Sequence, residues 1–376
     1  MSLHGDTAHS RLVHRMQPFE KLCAQAKPVG EKWGAWRLIS ALPRYSWIKL
    51  PAPRPTFLRS AGAVKFMAEI TAALNPRSLL IATDFSQASE KALRHSLALA
   101  RFYGSKLCLA HIVSSVGLAM AGPDAIAASE DAVLRESAQL TASLVRTGAL
   151  TGIQHKFVVR HGELWHELQE IMQEETTDLL VLGTHGRHGI AKLFFGSVAE
   201  QIFRQADCPV LTVGPCSYDL PWFETSSTHP TFLFATDFGP ASLRVLPQAI
   251  AAANQFGARL SFLNIISPRT SNSDGNSTGG MEDTRMAALE RLAQLADKTG
   301  FDRRPELYVE FESGMSAGEK ILETAEKLEA NLIIMGLHES SYNGMISHLD
   351  LATTYDVVCQ ATSPVLTIHH SLESDT

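Results

Sequence analysis

The chain has 376 residues, 45% hydrophobic and 19% charged, with a formal net charge of −6. That is long enough for two or three domains with full cores, and no segment approaches the roughly 18 to 20 consecutive apolar residues of a membrane helix. Five cysteines (Cys23, Cys108, Cys208, Cys216, Cys359) in neither metal-like nor paired spacing argue against a disulfide framework and suit a reducing, cytoplasmic setting.

The charge is uneven. Residues 1–66 hold 11 Lys/Arg and 3 Asp/Glu, a balance of +8, which leaves −14 for the remainder. An acidic body gives no support for specific nucleic-acid binding. Residues 1–76 read as a basic N-terminal extension, expected to be poorly ordered or weakly docked. They carry Trp33, Trp36, Trp47 and the Pro-rich run Leu50-Pro-Ala-Pro-Arg-Pro55, which breaks regular structure. No apolar core of about 7–15 residues follows the start, which argues against a secretory signal. A second reading, in which Met67 is the natural start, stays open beside this one.

From Arg77 strands and helices alternate. Ser78–Thr83 reads as a buried strand, and Ala88–Tyr103 as an Ala/Leu-rich helix stopped by Gly104. Lys106–Val113 is a second strand, followed by a loop through Gly117 and Pro123 and a helix at about 125–147. Gln154–Arg160 is a third strand, Glu163–Glu175 a helix, 178–183 a fourth strand, 196–206 a helix and 209–213 a fifth strand. Such alternation predicts an α/β domain at 77–214, a five-stranded parallel sheet with helices on both faces.

Residues 215–230 form a linker, and the pattern then restarts. Thr231-Phe-Leu-Phe-Ala-Thr-Asp-Phe-Gly239 mirrors Leu80-Ile-Ala-Thr-Asp-Phe-Ser86. Asp84 to Asp237 is an offset of 153, Gly183 to Gly336 is again 153, and Pro209 to Pro364 is 155. Anchor pairs this far apart with one offset predict a duplicated domain at 231–370, ending in a short tail at 371–376. The polar loop Ser271–Gly280 stands where the first copy has its Gly117–Pro123 loop, and both are expected to be flexible.

The chemistry concentrates between Gly183 and Ser197. The apolar run before it is a buried strand, and Val198-Ala-Glu-Gln-Ile-Phe-Arg204 after it is helical. Glycines let the backbone approach a ligand closely. A helix opening at Gly196-Ser197 offers unpaired N–H groups to an anion, and Ser197 can cap the helix and donate to a phosphate oxygen. This predicts a phosphate cradle at the carboxyl end of a strand. No Lys-Ser/Thr pair closes it as in a Walker A loop, and a dinucleotide fingerprint would follow the first strand.

The spacing Gly183-x2-Gly186-x9-Gly196-Ser197 resembles the nucleotide-binding signature of the universal stress protein family. Thr83-Asp84-Phe85-Ser86 and Cys208-Pro-Val-Leu-Thr-Val213 resemble that family too, closely over 77–214 and more loosely over 230–370. The resemblance implies two tandem Rossmann-like domains of the adenine nucleotide alpha hydrolase-like kind, and ATP or another adenine nucleotide, with Mg, as ligand. It also implies roles. Gly183, Gly186, Gly196 and Ser197 would line phosphates and ribose, Asp84 would meet the ribose hydroxyls, and the Ile112 backbone would meet the adenine edge. Arg187 and Lys192 either add charge to the phosphates or are solvated, and Asp84 is also a candidate turn or cap residue.

In the second copy Glu339, Leu349 and Asp350 replace Gly186, Gly196 and Ser197. Two carboxylates there would repel phosphate by several kcal/mol at ~4 Å and intermediate dielectric, so one competent site per chain is expected, in the first copy. His161-Gly-Glu163-Leu-Trp-His166 lacks the spacing of a zinc helix. His185 and His188 serve either a ligand or loop packing. No nucleophile-base constellation is visible, and Cys208 is expected to pack. The implied function is a nucleotide-binding regulator of stress responses, not a committed catalyst. Its rivals are an interaction module with vestigial pockets and a weak nucleotide hydrolase or transferase. Family-like pairing through the last strands, Val210–Val213 against Val365–Ile368, would make the chain an internal pseudo-dimer, with a homodimer as the other possibility.

Overall fold

In a computed structural model of the chain, the described residues are 75–114, 123–184, 197–214, 217, 229–267, 278–299, 301, 303–312, 314–337 and 351–369. The N-terminal extension up to residue 74, most of the linker, the tail, and the stretches containing Glu339, Leu349 and Asp350 lie outside them.

In the first half the order is β1 (Ser78–Ala82), α1 (Gln87–Tyr103), β2 (Lys106–Ser114), α2 (Pro123–Arg146), β3 (His155–Gly162), α3 (Leu164–Glu174), β4 (Leu179–Gly183), α4 (Ser197–Gln205) and β5 (Val210–Val213). The second half repeats it as β6 (Thr231–Ala235), α5 (Pro240–Gln255), β7 (Arg259–Ile266), α6 (Thr278–Lys298), β8 (Glu306–Phe311), α7 (Ala317–Lys327), β9 (Leu332–Leu337), α8 (Leu351–Gln360) and β10 (Val365–His369). Helix α1 starts where Ser86 accepts a bond from the Ser89 amide. It stops at Gly104, whose φ of 70° is the left-handed conformation glycine adopts without strain.

The inner strands β1, β4, β6 and β9 are apolar on both faces because both faces are covered, whereas the outer strands β3 and β8 carry charged, partly exposed residues. Leu79 and Ile81 of β1 join the core beneath α1, α2, α5 and α6, while Leu80 joins the opposite core beneath α3, α4, α7 and α8. Period-two alternation thus sorts one continuous hydrophobic run into two layers.

The described strands form one sheet in the order β3-β2-β1-β4-β5-β10-β9-β6-β7-β8. Every pairing within a half is parallel. The joint between halves is antiparallel, with Thr212, Leu211 and Val210 opposite Val365, Leu366 and Thr367. It is reciprocal about Leu211 and Leu366. The Thr212 hydroxyl donates to the Val365 carbonyl at 3.1 Å, and its counterpart Thr367 donates to the Val210 carbonyl at 3.3 Å. Helices close the seam on both faces. Phe102 stacks on Phe256 at 4.8 Å while Tyr103 donates to Gln255 at 3.1 Å, and on the other face Phe203 meets Tyr355 edge-on at 5.8 Å.

Candidate functional site

The buried strand β1 ends in a turn built by its own side chains. Thr83 extends the ladder by donating its N–H to the Ala110 carbonyl at 2.8 Å. Its hydroxyl accepts from the Phe85 amide at 3.1 Å, and Asp84 Oδ1 accepts from the Ser86 amide at 3.0 Å. These bonds hold Phe85 at φ 61°, a conformation that costs a non-glycine residue about 1 kcal/mol or more. The second half repeats the turn. Thr236 accepts from Phe238, Asp237 accepts from Gly239, and Phe238 also has φ 61°. Asp84 therefore has a structural task as a turn residue, and that task fixes where its carboxylate stands.

Register brings three of the expected site residues to one edge of the sheet. Ala82 is level with Ala110 of β2 and with Leu182 of β4. Asp84 and Ile112 therefore lie two residues beyond that level on β1 and β2, and Gly183 lies one beyond it on β4. The chain runs outward from β1 through β2 to β3 on one side, and through β4 to β5 on the other. The gap between the ends of β1 and β4 is thus the point where strand order reverses, the place where open α/β sheets bind ligands. Gly186, Arg187 and Gly196 lie outside the described residues. Ser197 is the first residue of α4, so the backbone of that helix opens where the cradle was expected. In the second half Gly336 has a steric reason. A Cβ there would sit 2.8 Å from the Ala241 carbonyl oxygen and 2.8 Å from Ser242 Cα, so glycine lets β9 pass close under α5.

One participant escaped the sequence reading. His111, beside Ile112, places Nδ1 2.6 Å from the Thr83 carbonyl oxygen and stacks on Phe85 at 4.6 Å. The signal that could have found it is the 153-residue offset. Asn264, its counterpart, donates Nδ2 to the Thr236 carbonyl at 2.8 Å.

Other candidates have ordinary tasks. Glu163 caps α3, accepting from the Trp165 and His166 amides at 3.2 and 2.8 Å, so its carboxylate serves a helix start. Among the described residues no three His, Cys, Asp or Glu side chains are grouped to share a metal ion. Burial pushes the Cys208 thiol up to about 12 and the Cys108 thiol to about 11, which keeps both protonated and unreactive near neutral pH. No helix among the described residues is long and apolar enough to cross a membrane.

A parallel sheet sandwiched between helices, with strand order reversing between β1 and β4 and again between β6 and β9, and duplicated edge to edge, defines a tandem Rossmann-like α/β protein. The family model for the universal stress protein family matches residues 76–214 and again 229–369, and the chain belongs to that family, with two copies of its domain. A universal stress protein of Methanocaldococcus jannaschii is 28% identical over 141 residues, covering 36% of this chain and 81% of the relative. Another from Bacillus subtilis is 27% identical over 143 residues, covering 36% and 97%. Two solved structures share the fold over most of the chain. One is a universal stress protein from Archaeoglobus fulgidus (TM-score 0.55, 18% identity, 78% of this chain and 99% of that one). The other is a functionally unknown protein from Pseudomonas aeruginosa (TM-score 0.53, 20% identity, 80% and 94%).

Proposed function

We propose that this chain is an adenine-nucleotide-binding regulator of stress responses, holding ATP or a related nucleotide, with Mg, at a single site in its first half. The observation that carries the reading is the convergence of Asp84, Ile112 and Gly183 at the carboxyl end of the sheet, where strand order reverses. In this reading Asp84 accepts from the ribose hydroxyls and the Ile112 backbone meets the adenine edge. Gly183, Gly186, Gly196 and Ser197 offer bare backbone N–H groups and a hydroxyl to the phosphates, with Arg187 adding charge. The chain is a binder and not a committed catalyst, because phosphoryl transfer needs groups placed at the γ-phosphate beyond a single carboxylate.

A difference between the halves favours one site over two. Glu339 and Asp350 stand in the second half where the first has Gly186 and Ser197, and they add charge of the wrong sign for phosphate.

The reciprocal joint of β5 and β10 supports an internal pseudo-dimer, in which each half covers the sheet edge the other would expose. Five cysteines in neither paired nor metal-like spacing support a reducing, cytoplasmic setting for the chain. Equilibrium dialysis of the full chain against ATP and ADP is expected to saturate at one nucleotide per chain, and D84A and S197W to weaken it at least tenfold. Absence of binding at millimolar ligand overturns the nucleotide reading in favour of an interaction module. Mass spectrometry of small molecules retained by protein purified without added nucleotide identifies which one it carries.

A further inference from the structure

His111 grips the residues on both sides of Asp84. Its Nδ1 lies 2.6 Å from the Thr83 carbonyl oxygen, and its ring lies on Phe85 at 4.6 Å and 29°. A carbonyl oxygen only accepts, so Nδ1 carries the proton in the neutral ring as well as in the charged one. Between these two anchors Asp84 bonds forward to the Ser86 amide, and Phe85 is held at φ 61°. A strained residue keeps such a conformation only when its surroundings over-determine it.

The duplicate isolates which of the two contacts matters. Asn264 makes the same bond to Thr236 at 2.8 Å with a side chain that has no ring. The Phe238 ring there faces the Arg291 guanidinium instead, at 4.2 Å. Phe238 nonetheless has φ 61°, the same as Phe85. Imidazole and carboxamide share one capability at this position, an N–H donor reaching back from the neighbouring strand, while the ring contact differs between halves.

We propose that His111 is the positioning residue of the nucleotide site, its Nδ1–H bond to the Thr83 carbonyl holding the turn that presents Asp84 to the ligand. This rests on the nucleotide reading given above. The hold on the turn can nevertheless be measured without ligand, so the two can fail separately.

The test uses the full chain with H111N, which keeps a donor and loses the ring, and H111F, which keeps a ring and loses the donor. In the ligand-free protein, H111F is expected to speed hydrogen exchange of the Phe85 and Ser86 amides at least tenfold, and H111N to leave them near wild type. In ATP titrations H111F is expected to bind at least tenfold weaker, the scale of one lost hydrogen bond in a partly buried site, and H111N within about threefold of wild type. Thermal melts of all three confirm that they are folded. Should H111F exchange and bind like wild type, the proposal is overturned while the nucleotide reading stands. Should H111N bind as poorly as H111F while its amides remain protected, His111 touches the ligand directly and positioning is again overturned. Should wild type fail to bind ATP, the nucleotide reading falls, and exchange alone decides whether the donor holds the turn.

Discussion

At the scale of single residues, the same position often performs the same task with different chemistry. Asp178 accepts from the Arg77 and Ser78 amides at 2.7 and 3.0 Å, and its counterpart Asn331 accepts from the Thr231 amide at 2.8 Å. His111 and Asn264 are a second such pair. Position 336 shows the opposite, a residue with no substitute. In G336A the new methyl would meet the α5 backbone at 2.8 Å, at both the Ala241 carbonyl oxygen and Ser242 Cα, and backbone cannot rotate away. Denaturant unfolding is expected to show a loss of about 1–3 kcal/mol. Cys208 is a residue whose chemistry is silenced by its surroundings. Its thiol, pushed up to about 12 by burial, is expected to resist alkylation at mildly alkaline pH in the folded chain and to react once denaturant is added.

At the scale of elements, helix α7 shows how a short segment stabilises itself. Ser316 accepts from the Glu319 amide while the Glu319 side chain accepts from the Ser316 amide, a reciprocal capping box. S316A is expected to cost about 0.5–2 kcal/mol in denaturant unfolding. Further along, Glu323 pairs with Lys320 at 2.6 Å and Lys327 at 2.8 Å, and these two ammonium groups hold its carboxyl down at about 2. A carboxylate with a depressed folded-state pKa stabilises above the ordinary carboxylate range and loses that contribution as pH falls toward the depressed value. E323Q is therefore expected to melt slightly below wild type near neutral pH. The gap should close as pH falls from about 4.5 toward about 2. Both partners are solvent-exposed in part, so the effect is small and weakens with added salt.

At the scale of the whole molecule, the duplication is visible in backbone conformation as well as in residue identity. Gly104 and Gly257, Phe85 and Phe238, and Thr176 and Glu329 are pairs 153 apart, and each pair shares a positive φ. The seam between the halves rests on a short antiparallel pairing of three residues from each strand. L366P would remove a backbone N–H and insert a ring at the centre of the antiparallel joint. The expected result is a lower melting temperature and association of chains through the freed edges, read as a concentration-dependent mass in light scattering.

Much of this was legible in the residues because it is local. Hydrophobic runs of strand length, the glycine that stops α1, and the repeat of Thr-Asp-Phe at a constant offset each follow from short-range periodicity, capping and backbone sterics. The glycine-rich spacing likewise marked the candidate phosphate loop and Gly183, while Asp84 and Ile112 were named from the resemblance to the universal stress protein family. What remained closed to the sequence was the order of strands. Only pairing across about a hundred residues sets β1 between β2 and β4, and with it the gap at which those three residues meet. The same holds for His111, whose reach to Thr83 spans two strands, and for the register of the seam about Leu211 and Leu366, of which the resemblance implied only that the last strands pair. Local sterics and periodicity belong to the chain as written, but register and neighbourhood arise only when distant segments bury their surfaces against one another.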